Sequence, residues 1–522
     1  MDKKRGLLNI GTSIVSRIIL LLAALYIRRL LILYIGNEVN GLNSLYGSII
    51  GLLSVAELGV GGAIIYSMYS PIVKGDDNKV AALYCLYRKL YRIIGAVIFG
   101  AGLAVMPFFP RMISDYSSLD VDVYITFLLT LISVVISYLY SAKSALIEAY
   151  KDNYISTAIV TISRMIRSAL QIAAIMIWKS FEIFLICQII ETIIVWIATE
   201  KVVKRLHPDI LILSKSEKPV LDPESKKDIT RNIKAMFMHK IGSIFVASVD
   251  SMIISIFIGV VILGKYSNYT AILGAMTGII VLFFTPLTSV IGHLCAAKEP
   301  GEIRQYFNFF YSMNFVLGLI FFMGYYAVID NIVEILFGSE LTMSRAVPFV
   351  ITVNGFIGYM RYALIMFRDA SGIFYYDRWK PIGESIANII LSVIFVNIFP
   401  TEYSVVGVIV ATIITCLLIC NIVEPHILFK YVFKEPAIKF YLLNYSRTVV
   451  FTLCLLLVDR LSISCENSII ELLVNGMISV GISAALLGLL VATDRSFRQD
   501  VKTLILQVRQ WCGKLAGKIN RR

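Results

Sequence analysis

Residues Asn9 to Tyr46 read NIGTSIVSRIILLLAALYIRRLLILYIGNEVNGLNSLY, and residues Asn232 to Tyr269 read NIKAMFMHKIGSIFVASVDSMIISIFIGVVILGKYSNY. The two stretches align without a gap at a constant offset of 223. Asn9/Asn232, Ile10/Ile233, Ile35/Ile258, Gly36/Gly259, Gly41/Gly264, Ser44/Ser267 and Tyr46/Tyr269 are identical, and Arg17 falls opposite Lys240. Each copy opens on an apolar run long enough to supply the ~20 residues of a membrane-spanning helix. Each closes on a turn that contains glycine. An internal repeat of this length implies two lobes of six helices each, covering 1–203 and 233–429. Residues 204–232, which carry Pro208, Pro219 and Pro223, read as the connection between them. Residues 430–522 add two helices and a basic tail.

Composition sets the surroundings of this repeat. The chain has 522 residues, of which 58% are hydrophobic, and its mean hydropathy is +0.80. So much apolar surface cannot be hidden inside a soluble domain of this size, so the chain reads as an all-α polytopic membrane protein. Hydropathy and loop breaks give about fourteen transmembrane helices. Their cores are 10–35, 42–69, 93–113, 123–145, 156–178, 181–203, 233–258, 266–292, 307–337, 346–367, 381–399, 404–424, 447–459 and 469–492. The opening MDKKRG runs into the first span without a cleavage site and reads as its retained flank.

Loop charges alternate from one side to the other. One side holds Lys3, Lys4, Arg5, Lys74, Lys79, Arg88, Lys89, Arg92, the run from Lys201 to Arg231, and the basic C-terminal tail. The opposite side holds little besides Arg111, Lys179, Lys265, Arg345 and Arg460. The positive-inside rule then places both termini in the cytoplasm and makes the repeat parallel, with its axis along the membrane normal. This bias accounts for the formal net charge of +13, which is read as topology plus attraction to anionic membrane lipid and not as nucleic-acid binding. From Arg495 onward, Phe497, Val501, Leu504, Val508, Trp511 and Leu515 recur at steps of three or four, the pattern of an amphipathic helix on the membrane surface. Eight cysteines and four histidines are scattered with no metal-ligand spacing, so no metal, cofactor or disulfide is expected.

Six basic residues lie within the apolar spans: Arg17, Arg28, Arg164, Arg167, Lys240 and Arg361. A charge at bilayer depth costs about 2.5–3.5 kcal/mol on insertion scales. Arg17, Arg164, Lys240 and Arg361 come from four helices of both lobes at comparable distances from the cytoplasmic end. Arg164, Arg167 and Gln171 are spaced i, i+3, i+7 on one helix face. Snorkelling of single side chains to the headgroups is the simpler account of any one of them. As a set they read as a cradle for an anion between the lobes, with Arg28 nearer the outside. Glu57, Glu191 and Asp250 are the candidate counter-charges or coupling groups; the alternative for Glu57 and Glu191 is a structural helix–helix partner. Asp250 aligns with Ile27, beside Arg28. Catalytic residues are not expected, because the outside loops, such as SDYSSLDVD and DRLSISCENS, are about ten residues or fewer.

The stretch GLNSLYGSIIGLLSVAELGVGGAIIYSMYSP, the following ALYCLYRKLYRIIG and PFFP, and NIKAMFMHKIGS with DSMIISIFIG and GKYSNY in the second copy resemble bacterial polysaccharide transporters. These belong to the multidrug/oligosaccharidyl-lipid/polysaccharide (MOP) exporter superfamily. The closer resemblance is to Wzx-type flippases of O-antigen, capsule and exopolysaccharide pathways. In plan the chain is also similar to lipid II flippases with fourteen spans and a cationic cavity. The resemblance implies a MATE/MOP-like fold in the bacterial inner membrane. It implies a substrate of undecaprenyl diphosphate bearing an oligosaccharide, with a polymerase and glycosyltransferases of the same pathway as partners. Arg17 and Arg28 match the family's cavity pattern, and Lys240 follows by the repeat. Energy would come from a coupling ion or the membrane potential. Three rivals remain open: a cation-coupled small-molecule or drug exporter of the same superfamily, a polysaccharide polymerase, and a scaffold or channel.

Overall fold

The computed structural model describes residues 3–57, 60–216, 248–284, 287–465 and 467–503, with isolated positions 221, 223, 227 and 230. For residues 3–18 it describes the backbone alone. The described chain is helical throughout. In chain order the helices are α1 (Lys3–Tyr34), α2 (Asn37–Leu53), α3 (Val60–Lys74), α4 (Asp77–Val105), α5 (Val123–Ala149), α6 (Asn153–Trp178), α7 (Phe181–Leu206) and α8 (Pro208–Ser216). After Ser248–Phe257 come α9 (Val260–Phe284), α10 (Leu287–Ala297), α11 (Pro300–Phe337), α12 (Ala346–Met360), α13 (Tyr362–Ser371) and α14 (Lys380–Ile398). Last are α15 (Ser404–Thr415), α16 (Asn421–Leu428), α17 (Ile438–Leu461) and α18 (Ser468–Thr493). Ten helical segments among the described residues are long and apolar enough to cross a membrane.

Thirteen of the fourteen expected spans coincide with these helices; most of the seventh, including Lys240, lies outside the described residues. The second span is interrupted, with α2 and α3 separated by a 3-10 turn at Ser54–Glu57. Starts are set by local caps. Asp76 accepts from the Lys79 amide, Asp122 from those of Tyr124 and Ile125, and Ser180 from that of Ile183, so each supplies an acceptor that the first helical turn lacks. Outward-facing side chains are apolar: on α6, Ile162, Met165, Ile166 and Ile177 are all exposed. That surface suits hydrocarbon and not water.

The helices group into two compact units, Met1–Ser267 and Asn268–Arg522. In the first, α5 packs on α7 and α4, and α6 packs on α1 and α7. This unit also includes residues 248–267 of the second repeat copy, and there the repeat becomes visible as geometry. Gly36 and Gly259 both adopt positive φ, +133° and +119°, a conformation that costs a side-chain-bearing residue strain. Five residues on, Gly41 and Gly264 are closest-approach points. A Cβ at Gly41 would stand 1.9 Å from the Val260 carbonyl oxygen, and one at Gly264 would stand 2.5 Å from that of Asn37. Asn37 and Val260 are themselves equivalent under the 223-residue offset. The starts of α2 and α9 therefore cross reciprocally, each copy's glycine against the other copy's first turn. Polar ties close the crossing: Asn37 Nδ2 donates to the Val261 carbonyl at 2.8 Å and Asn40 Nδ2 to that of Gly264 at 3.0 Å.

In the second unit, α11 runs against α12 and α18, α14 against α15, and α10 against α13. Its core is aromatic. Phe307 contacts Phe367, Phe433 and Phe440, and Phe356 stacks on Phe451 at 3.7 Å. Two π-helical turns, Cys416–Cys420 and Phe429–Phe433, flank α16. The tail was expected to lie on the membrane surface from Arg495. Its described beginning instead packs inward: Phe497 is buried against Phe315, and Ser312 donates to Asp500 at 2.7 Å. An apolar residue with an aromatic pocket beside it gains more by burial there than at the headgroups. Residues 504–522 lie outside the described part.

Candidate anion-binding cavity

Four helices of the first unit, α1, α2, α6 and α7, enclose a cavity of about 290 Å³. Arg28 enters it from α1, Arg164 and Arg167 from α6, Asn40 and Asn43 from α2, and Gln188 from α7. The i, i+3, i+7 spacing does bring Arg164, Arg167 and Gln171 onto the one face that lines it. Arg28 Nη1 donates to Ser267 Oγ at 3.0 Å, and Asn40 Nδ2 to the same hydroxyl at 3.2 Å. Gln171, which is buried, donates to the Phe184 carbonyl at 3.3 Å and holds α6 against α7.

Glu191 of α7 pairs with two of these arginines. It accepts from Arg167 Nη1 at 2.6 Å and lies 3.5 Å from Arg164 Nε. Two guanidinium groups, those of Arg164 and Arg167, thus share one carboxylate. The arginines are not sealed in protein: the Arg164 side chain is 48% exposed and that of Arg167 29%. An accessible, under-compensated pair of planar donors on a rigid helix is suited to bind phosphate oxygens. Arg17 lies on α1, and its side chain, like all of Lys240, is outside the described residues.

Arg361 has a different setting, in the second unit. Standing at the junction of α12 and α13, it donates from Nε and Nη2 to the two oxygens of Glu424 at 3.0 and 2.6 Å. Lys380 of α14 reaches the same carboxylate at 2.6 Å, and Glu384 lies 3.7 Å from Arg361 and 3.6 Å from Lys380. Two cations and two carboxylates make a closed, charge-balanced cluster among three spans. Only one of its four members, Arg361, was expected as a site residue.

Glu57 sits on the 3-10 turn between α2 and α3 and accepts from Tyr91 at 2.8 Å. Tyr91 stacks on Tyr87 at 4.2 Å and touches Tyr138, so phenols surround this carboxylate, and no cation within ion-pair distance is found among the described residues. Asp250 is buried in the first unit, on Ser248–Phe257. No cluster of metal-ligating side chains occurs among the described residues.

Sequence reading missed Arg447. It is buried on α17, with its guanidinium 4.8–4.9 Å from the rings of Phe315 and Tyr311. The thirteenth span is expected at 447–459, whereas α17 begins at Ile438. A second unmarked network joins Arg345 to Asp330 at 2.6 Å and to Asp459 at 3.0 Å, with Tyr269 and Tyr326 donating to those carboxylates.

Comparison with solved structures shows which fold this bundle of membrane-spanning helices has. An inward-facing multidrug-resistance MATE family transporter of the MOP superfamily superposes with a TM-score of 0.59 at 12% identity, over 84% of this chain and 98% of that one. Lipid II flippase MurJ in an inward closed conformation also gives 0.59, at 16% identity, over 93% of this chain and 99% of that one. The fold is therefore that of MOP-superfamily transporters and flippases, and its structural neighbours are not enzymes. No family model matches the chain, and no curated protein does.

Proposed function

We propose that the protein is a flippase for undecaprenyl-diphosphate-linked oligosaccharide repeat units, carrying them from the inner to the outer leaflet of a bacterial cytoplasmic membrane for surface polysaccharide synthesis. The observation that supports this most is the cavity lined by Arg28, Arg164 and Arg167, two of which, Arg164 and Arg167, share the one carboxylate of Glu191. The guanidinium groups take the diphosphate. Asn40, Asn43 and Gln188 offer both donors and acceptors, which sugar hydroxyls need. The prenyl tail stays in lipid. Arg17 and Lys240 belong to the same cradle by the repeat, and Arg361, here paired with Glu424, is its candidate member in the second lobe. Both termini are cytoplasmic, and the lobes 1–203 and 233–429 rock to alternate access. Outward movement of two negative charges through 100 mV releases about 4.6 kcal/mol, at ~2.3 per charge, so the membrane potential favours the direction. A polymerase and glycosyltransferases of the pathway supply and consume the cargo.

The alternative is a cation-coupled small-molecule exporter. The feature that favours it is Glu57, a carboxylate surrounded by tyrosines, which suits a proton or small cation. Reconstitution of the full chain separates the two. Arg28→Gln with Arg167→Gln is expected to slow flipping of a fluorescent undecaprenyl-diphosphate oligosaccharide at least tenfold, since each lost charge-assisted contact is worth about 1.5–3 kcal/mol. Glu191→Gln is expected to tighten binding of the same lipid. Wild-type liposomes that expel cationic drugs and leave the glycolipid unflipped would establish the exporter.

A further inference from the structure

A second cationic cavity lies elsewhere in the first unit, at the ends of α4, α5 and α7 that the loop charges assign to the cytoplasm. Its volume is about 300 Å³, and α8 forms one wall. Arg88 and Arg92 of α4, Lys143 of α5, Lys204 of α7 and Lys215 of α8 line it, with Glu200 as the one carboxylate. Glu200 is occupied by its contacts to Lys143 and to Lys204, the latter at 3.1 Å. Arg88, Arg92 and Lys215 have no carboxylate partner among the described residues. Arg88 and Arg92 are four residues apart on one helix, a like-charge spacing that destabilises the helix unless an anion lies between them.

The walls are fixed. Ile210 of α8 is buried in a cluster with Val80, Leu146 and Val203, and the Cys85 thiol contacts the Ser214 carbonyl at 3.6 Å. The remaining lining is amphipathic: Tyr84 and Trp196 are the side chains that favour the headgroup level, and Leu139, which is exposed, is suited to touch hydrocarbon. Basic pockets between spans at the cytoplasmic face are of the kind that hold anionic headgroups.

We infer that this cavity is a phosphate-binding site for an anionic phospholipid headgroup, separate from the cavity of Arg28, Arg164 and Arg167. The phosphodiester sits between Arg88, Arg92 and Lys215, and its glycerol end lies along Trp196 and Leu139. Such a lipid ties α8 to the ends of α4 and α7. The inference does not depend on what the protein transports.

The test uses the purified full chain in nanodiscs of phosphatidylcholine, titrated with phosphatidylglycerol and, separately, with inorganic phosphate, reading bound lipid by native mass spectrometry and the thermal midpoint. Wild type is expected to retain phosphatidylglycerol over phosphatidylcholine. Arg88→Gln with Arg92→Gln is expected to weaken that retention at least tenfold, whereas Lys89→Gln, on the same helix but outside the cavity, leaves it unchanged. Should the double variant not fold, Lys215→Gln on the exposed side of α8 is expected to give a several-fold loss alone. Inorganic phosphate that raises the midpoint equally, and only with Arg88 and Arg92 present, would assign the same site to a soluble anion. Equal retention of phosphatidylglycerol by wild type and both variants, with no phosphate effect, overturns the inference.

Discussion

Neutralising Glu424 tests the closed cluster of the second unit. The Glu424 side chain is 2% exposed, Lys380 5% and Arg361 16%. In Glu424→Gln the cluster keeps two cations and only Glu384, which is 3.7 Å from one and 3.6 Å from the other. Three short contacts, at 2.6, 3.0 and 2.6 Å, lose their ionic character together. Removing one partner of a buried pair leaves an uncompensated charge and costs about 3–5 kcal/mol. That is a large share of the ~5–15 kcal/mol that holds a folded protein together. The assay is unfolding of the full chain in detergent, followed by tryptophan fluorescence, for Glu424→Gln, Arg361→Gln and the double variant. Each single variant should lose about 3–5 kcal/mol. The double variant, which restores one cation to one carboxylate, should fall short of the sum by about 2 kcal/mol or more. A loss below about 1 kcal/mol in Glu424→Gln, or strictly additive losses, would refute a cooperative cluster. Arg361→Gln that weakens glycolipid binding without moving the unfolding midpoint would instead make Arg361 a substrate residue.

Alanine at Gly41 brings its Cβ to within 1.9 Å of a backbone carbonyl, which cannot move aside as a side chain does. Gly41→Ala and Gly264→Ala are each expected to cost about 1–3 kcal/mol or more, while Gly47→Ala, which meets nothing within 4 Å, stays near neutral in the same unfolding assay. His207, between α7 and α8, stacks on Tyr150 at 4.0 Å. Burial lowers its pKa, against the opposing pull of Asp152 and Asp77. A lowered folded-state pKa contributes stability that is complete above the ordinary value of 6.5 and is lost as pH falls through the folded-state pKa. The protection of amides in 206–216, taken relative to their intrinsic exchange rates, should therefore fall on acidification below 6.5 in wild type, and His207→Phe should make that protection independent of pH.

The thirteen spans that coincide with described helices were legible because hydropathy and capping are local. Asp122 or Ser180 makes its capping bond within three residues of itself. The glycine pairs were legible as well, since a positive φ or a backbone contact tolerates almost nothing else, and so Gly36/Gly259 and Gly41/Gly264 stayed identical across an otherwise diverged repeat. Charges were legible as unusual but not as partners. Glu191 meets Arg167 24 residues away, and Glu424 meets Arg361 63 residues away, contacts that depend on how each helix is rotated about its axis and on which neighbours it packs against. Arg447 was obscured by the same window average that identifies spans, because a cation lowers mean hydropathy whether it faces water or an aromatic cage. Composition and periodicity are enough to show that the chain spans a membrane, repeats itself and carries basic residues within its apolar spans. Which of those residues line a cavity, and which are paired within a closed cluster, follows from how the helices pack, because it depends on the geometry between them.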